Sequence, residues 1–171
     1  MIESKYLQDN MQNIQKLMNI HTLKHFEIKS LAKLLRLSKI REYEDGEIII
    51  KEGEKDSWLY FLLGGKVRVS KDNCQITIID KRGEIFGEMS IIDTLSRSAS
   101  VHAIGRTICL AVDTLAQSKL SSGDRDERLD FLLLLYRIFA EYMSIRLRLT
   151  NEELIKAKKQ ADSLKKTLNE R

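Results

Sequence analysis

The hydrophobic rhythm of the chain changes twice. From residue 5 to residue 39, Leu, Ile and Met recur at the three- and four-residue spacing of an amphipathic helix, with breaks near His21 and Phe26 that divide the stretch into two or three short helices. From Ile40 to Asp113 the apolar residues fall into short runs instead: Ile48 to Ile50, Leu59 to Leu63, Val67 with Val69, and Ile76 to Ile79, separated by Gly, Asp and Asn. Such runs between turn formers predict antiparallel strands joined by hairpins, with Asp72 and Asn73 at one tip. His102 falls on one of these strands with its ring expected at the surface, whereas His21 and His25 are expected on an amphipathic helix. Ser121 to Asp124 interrupt the pattern, and Gly123 followed by Asp124 supplies a helix start.

The third rhythm is a heptad. Leu129, Leu133, Tyr136, Ala140, Met143, Leu147, Thr150, Leu154, Ala157, Ala161, Leu164 and Leu168 step by alternating fours and threes, the seam of a coiled coil. A second stripe, Phe131, Leu135, Ile138, Tyr142, Ile145 and Leu149, runs beside it and stops at Leu149. The seam outlasts this stripe by roughly 28 Å at a rise of ~1.5 Å per residue, farther than a domain of this size reaches. A twin helix, and hence a homodimer, is the expected partner. Thr150 is a polar seam position, which either sets the register or contacts something else.

At 171 residues the chain fits one domain with helical flanks. The expected organisation is N-terminal helices over 1–39, a β domain over 40–120 and a long helix over 124–171, an α+β arrangement. The net charge is +4, and its distribution says more than its size. Residues 41–113 carry 10 Lys and Arg against 13 Asp and Glu, and the remainder carries 19 against 12. The basic residues of the flanks are interleaved with acids rather than concentrated on one recognition element, so a nucleic acid is not the indicated partner. No apolar run approaches the ~20 residues of a membrane span, and the N-terminus lacks the pattern of a secretion signal, so a cytoplasmic protein with no membrane partner is expected. Cys74 and Cys109 are too few for a disulfide framework or a four-cysteine metal site, and Cys109 lies in an apolar strand where burial is expected.

The candidate chemistry lies in Phe86 to Val101, FGEMSIIDTLSRSASV. Gly87 lets the backbone come close to a ligand, and the amides that follow can point at an anion if a short helix begins there. Arg97 supplies a planar, permanently charged fork suited to phosphate oxygens. Glu88 accepts hydrogen bonds and donates none, so its natural partner is a sugar hydroxyl. Together the two side chains read as a site for ribose and phosphate. The chain has no GxSxG, HExxH or Walker loop, and Glu88 with Arg97 supplies no attacking group, so binding rather than catalysis is expected.

This segment resembles the phosphate-binding cassette of the cyclic nucleotide-binding domains shared by bacterial catabolite activators, protein kinase regulatory subunits and nucleotide-gated channels. YEDGEIIIKEGEKDSWLYFLLGGKVRVSK (Tyr43 to Lys71) and RGEIFGE (Arg82 to Glu88) resemble the family's strands, so the resemblance spans roughly residues 25 to 150. It implies an antiparallel β-barrel of the jelly-roll, double-stranded β-helix type, with cAMP as ligand and cGMP as the alternative. It also implies that Gly87, Glu88, Met89, Ser90, Arg97 and Ser98 form the ligand site, Glu88 at the ribose 2′-hydroxyl and Arg97 at the cyclic phosphate. Many members carry Gly-Thr-Pro before the arginine, where this chain has Thr94, Leu95 and Ser96 and contains no proline at all. Tyr142 to Leu154 is similar to the dimer helix of the catabolite-activator branch, where residues matching Thr150 and Asn151 bind the adenine and one matching Arg146 bridges to the ribose phosphate. Asn151 departs from the serine of that branch.

The winged helix-turn-helix of that branch has no counterpart, since only the charged stretch Asn151 to Arg171 follows Thr150. The expectation is therefore a cyclic nucleotide sensor without a DNA-binding domain, which signals through its C-terminal helix to an unidentified downstream protein. A ligand-free dimerisation scaffold and a separately encoded regulatory subunit of an enzyme are the alternatives.

Overall fold

The computed structural model describes residues 1–89, 96–115 and 125–169, except the side chains of 125–128 and 166–169. The helix start expected at Gly123 and Asp124 lies outside the described residues. The chain divides into two compact units, Met1–Leu135 and Tyr136–Arg171.

The first unit opens with a strand, β1 (Ile2–Glu3), where the apolar spacing suggested only helices. Two residues make it a strand because β2 (Ser38–Tyr43) offers an edge, and Glu3 is held there by Lys39 and Arg41, each at 2.6 Å. Helix α1 (Met11–Met18) is capped by Asn10, whose side chain accepts from Asn13 N–H at 3.0 Å, and buries Ile14 and Leu17. The helix stops there, and His21 and His25 lie in turns rather than on a helix. The physical reason is the three-residue spacing of Ile20, Leu23 and Phe26. Successive Ile20→Leu17, Leu23→Ile20 and Phe26→Leu23 backbone bonds turn the chain every three residues and bury all three side chains on one side. Helix α2 (Ile28–Arg36) then buries Leu31, Leu34 and Leu35.

The sheet is built on two long antiparallel strands, β4 (Trp58–Lys71) and β7 (Ser100–Asp113). The hydrogen-bonded order is β1-β2-β7-β4-β5, with β5 (Cys74–Ile79) at the far edge, β3 (Ile48–Ile50) on β7 and β6 (Ile85–Phe86) on β4. Among the described residues this path is open, so the expected barrel is an unclosed roll. Asp72 and Asn73 take φ of 47° and 62° at the β4–β5 tip, the left-handed pair that a two-residue hairpin turn needs. Alternation along β4 and β7 separates two faces. Leu59, Phe61, Leu110 and Val112 are buried on one, while Tyr60, Leu62, Cys109 and Ala111 join Tyr43, Ile50, Phe86 and Val101 in the core on the other. His102 is half-buried, not at the surface, and its Nδ1 is buried with no partner among the described residues.

Helix α3 (Arg125–Asn169) runs through both units. In the first unit Phe131, Leu134 and Leu135 are buried. In the second, Ile138, Phe139 and Tyr142 are buried, and every residue from Leu147 to Lys165 is exposed. The heptad positions from Leu129 to Leu164 are exposed except Met143, which is half-buried. Among the described residues no helix is long and apolar enough to cross a membrane.

Candidate functional site

The loop after β3 and the segment leading into β7 are laced together through their backbones. Gly53 N–H donates to the Arg97 carbonyl at 2.9 Å, and Arg97 N–H donates to the Glu54 carbonyl at 2.8 Å. Ser100 adds a hydroxyl that accepts from Glu52 N–H at 3.0 Å. This lacing carries the Arg97 side chain inward, where only 3% of the residue is exposed.

A guanidinium so buried needs partners on every edge. Its Nε donates to Asp56 Oδ2 at 3.0 Å and its Nη2 to Asp56 Oδ1, a two-pronged pairing. Nη2 also donates to the Trp58 carbonyl, and Nη1 to the Gly87 carbonyl. One N–H of Nη1 is left without a partner among the described residues. Asp56 is the residue that sequence reasoning missed. It sits three positions after Gly53, where an acid in a loop reads as a solvated charge. It also accepts from Trp58 N–H at 2.8 Å, which fixes its carboxylate at the start of β4.

Two features favour glycine at position 87. Its φ is +82°, and a Cβ built on it would lie 2.7 Å from Arg97 Nη1 and 2.9 Å from Ile50 Cδ1. The glycine therefore gives Arg97 the space to reach the Gly87 carbonyl. Glu88 follows at 5% exposure, a carboxylate withdrawn from water beside that turn. Met89 is exposed, and the exposed Ser98 hydroxyl donates to its sulfur at 3.6 Å. Ser90 lies outside the described residues, as do Thr94 and Leu95. Gly87, Met89, Arg97 and Ser98 are thus brought together, with Glu88 in the same turn. Arg146 is half-buried and Thr150 and Asn151 are exposed, all three in the second unit.

The inner face beneath the site is apolar and aromatic. Tyr60 stacks on Phe86 with ring centroids 5.1 Å apart, and Arg41 bridges Tyr60 Oη at 2.8 Å while lying 3.8 Å over the Trp58 ring. Burial pushes the Tyr60 and Tyr43 phenols above their usual range, so both stay neutral in this core. Among the described residues no group of three or more His, Cys, Asp or Glu could hold a metal ion. Two buried ionic side chains on adjacent segments, one an acceptor and one a donor, can hold an anionic ester that also carries a hydroxyl.

Comparison with known proteins gives the family of this segment. The family described as "Cyclic nucleotide-binding domain" matches residues 40–120. The chain is 35% identical over 95 residues to the cAMP-dependent protein kinase type II regulatory subunit of Drosophila melanogaster, covering 54% of this chain and 24% of that protein. It is 33% identical over 94 residues to a cGMP-dependent protein kinase of Eimeria tenella, covering 53% of this chain and 9% of that protein. The chain thus covers less than a quarter of the length of either relative. A cyclic nucleotide-binding domain from Methylobacillus flagellatus shares the fold, with a TM-score of 0.69 at 21% identity over 84% of this chain and 83% of that one. Residues 40–120 are a cyclic nucleotide-binding domain.

Proposed function

We propose that the chain binds a cyclic nucleotide, cAMP in the first instance, in the turn formed by Gly87, Glu88 and Arg97. The observation that carries this reading is the burial of Arg97 and Glu88 around a glycine at φ +82°. The cyclic phosphate takes the Arg97 N–H that no described residue uses and competes with Asp56 for the rest of the fork, while Glu88 accepts from the ribose 2′-hydroxyl. Asp56 is then the ion that keeps Arg97 paired when no ligand is bound. Met89, Ser90 and Ser98 contribute backbone or hydroxyl contacts. No step of this reading breaks a bond in the ligand, so the protein acts by binding.

The output is the C-terminal helix. An isolated helix gains little from propensity alone and depends on packing along an apolar face. The exposed seam through Leu147, Leu154 and Leu164 supports pairing with a second copy as a parallel coiled coil. Ligand can shift that pair only by binding one arrangement better than another. Similarity to kinase regulatory chains supports a second reading of the partner, an enzyme encoded separately, which predicts co-purification with that enzyme.

Calorimetry of the full chain with cAMP and with cGMP tests the reading. One site per chain with cAMP preferred is the expected result. A preference for cGMP would reassign the base, and absence of binding to either would leave a scaffold.

A further inference from the structure

A second cavity lies on the opposite face of the sheet, between it and the N-terminal helices. Its volume is about 210 Å³. The sheet supplies Ile40, Leu63 and Leu110 to its wall, and α1 and α2 supply Leu17 and Leu35. Ile40 and Leu110 are direct partners across β2 and β7, so this wall is one continuous apolar strip. Two exposed cations, Lys16 and Arg82, line the cavity. Among the described residues neither pairs with an acid.

Their positions are built rather than incidental. Lys16 stands in the last turn of α1, where the free carbonyls favour a cation. Arg82 stands on a turn pinned to the end of α1. Gly83, at φ +91°, lies so close that a Cβ would come within 2.7 Å of Ile20 Cγ2, and the Thr22 hydroxyl donates to the Gly83 carbonyl at 2.7 Å. The size then selects the occupant. Pockets for drug-sized ligands run to ~300 Å³ and above, which this one does not reach. An apolar cavity of ~150 Å³ takes benzene, so there is room for a chain of roughly eight carbons.

We propose that this cavity binds a medium-chain carboxylate, with the alkyl chain against Leu17, Leu35, Leu63 and Leu110 and the carboxylate between Lys16 and Arg82. The site is separate from the Arg97 turn and does not depend on what that turn binds. Apolar burial accounts for the chain, and complementary charge fixes its direction.

Calorimetric titration of the full chain with butanoate, hexanoate and octanoate, below their micelle-forming range, tests this. Affinity should rise about fourfold per added methylene, and octanoate should bind at one site at least fivefold more tightly than octanol. The double substitution Lys16→Glu and Arg82→Glu, both at exposed positions, should weaken octanoate at least tenfold while leaving octanol and cyclic nucleotide binding unchanged. Leu63→Phe, which fills the cavity, should weaken octanoate and octanol alike. The proposal is overturned by absence of octanoate binding at millimolar concentration, by affinity that ignores chain length, by octanol binding as tightly as octanoate, or by octanoate binding that survives charge reversal.

Discussion

The turn around Arg97 and the far end of α3 handle their unfavourable groups in opposite ways. In the turn, a buried charge is satisfied internally: Asp56 takes two edges of the fork and the carbonyls of Trp58 and Gly87 take others. On the helix from Leu147 onward, apolar side chains stay exposed, and no group of their own unit covers them. One region pairs most of its buried charge within a single chain. The other leaves its apolar side chains uncovered within its own unit. Under the proposed function, ligand recognition and output would rest on different physics, charge-assisted hydrogen bonding in the first and apolar burial in the second.

The strongest way to break the first half is Arg97→Ala. A charge-assisted bond of this kind is worth ~1.5–3 kcal/mol, so cyclic nucleotide affinity should fall more than tenfold by calorimetry, with circular dichroism still reporting the folded sheet. Affinity equal to that of the parent would remove Arg97 from the ligand. The second half is tested by truncation after Thr150, which deletes Leu154 and Leu164 from the seam. Burying a leucine contributes ~1.5–3 kcal/mol, so dimerisation should weaken at least tenfold in sedimentation experiments. A full-length protein that stays monomeric with and without cAMP would contradict the coiled coil.

Asp56→Ala sharpens the contrast because it unpairs Arg97 only when ligand is absent. Asp56 is partly exposed, which places the loss at the lower end of ~1.5–3 kcal/mol. The unliganded melting temperature should drop, and the rise on adding cAMP should become larger than in the parent. An unchanged ligand-induced rise would mean that Asp56 and the phosphate do not share the fork. The smallest effect concerns the closed interior beneath the turn. Burial pushes the Cys109 thiol up to about 12, so almost no thiolate forms at pH 8, whereas Cys74 is exposed. Mass spectrometry after alkylation at pH 8 should find label on Cys74 alone. Label on Cys109 at a similar rate would show that the core opens.

How legible these features were in the sequence depends on the range of the interaction that creates them. The helix break before Phe26, the strands from Ile40 to Asp113 and the Asp72–Asn73 tip follow from local spacing and turn chemistry, and each is present. The short strand at Ile2 and Glu3 was not legible, because Lys39 and Arg41 stabilise it from far along the chain. Asp56 was hidden for the same reason. Its role exists only once Arg97, 41 residues later, is folded beside it. Glu88 and Arg97 could be picked out because charged residue types are costly to bury without a purpose, and Gly87 because only glycine lets the backbone approach a ligand so closely. The aromatic bed of Tyr60, Phe86 and Trp58 read only as strand.

The central claim is that the turn reads a ribose and a phosphate together. Its most direct test is the affinity of cAMP and 2′-deoxy-cAMP for the parent chain and for Glu88→Gln, four titrations under one set of conditions. The account predicts that the parent prefers cAMP by about tenfold, the value of one charge-assisted hydrogen bond, and that Glu88→Gln loses most of this preference while binding the deoxy analogue as the parent does. Equal losses for both nucleotides in the variant, or a parent that binds the two alike, would contradict it.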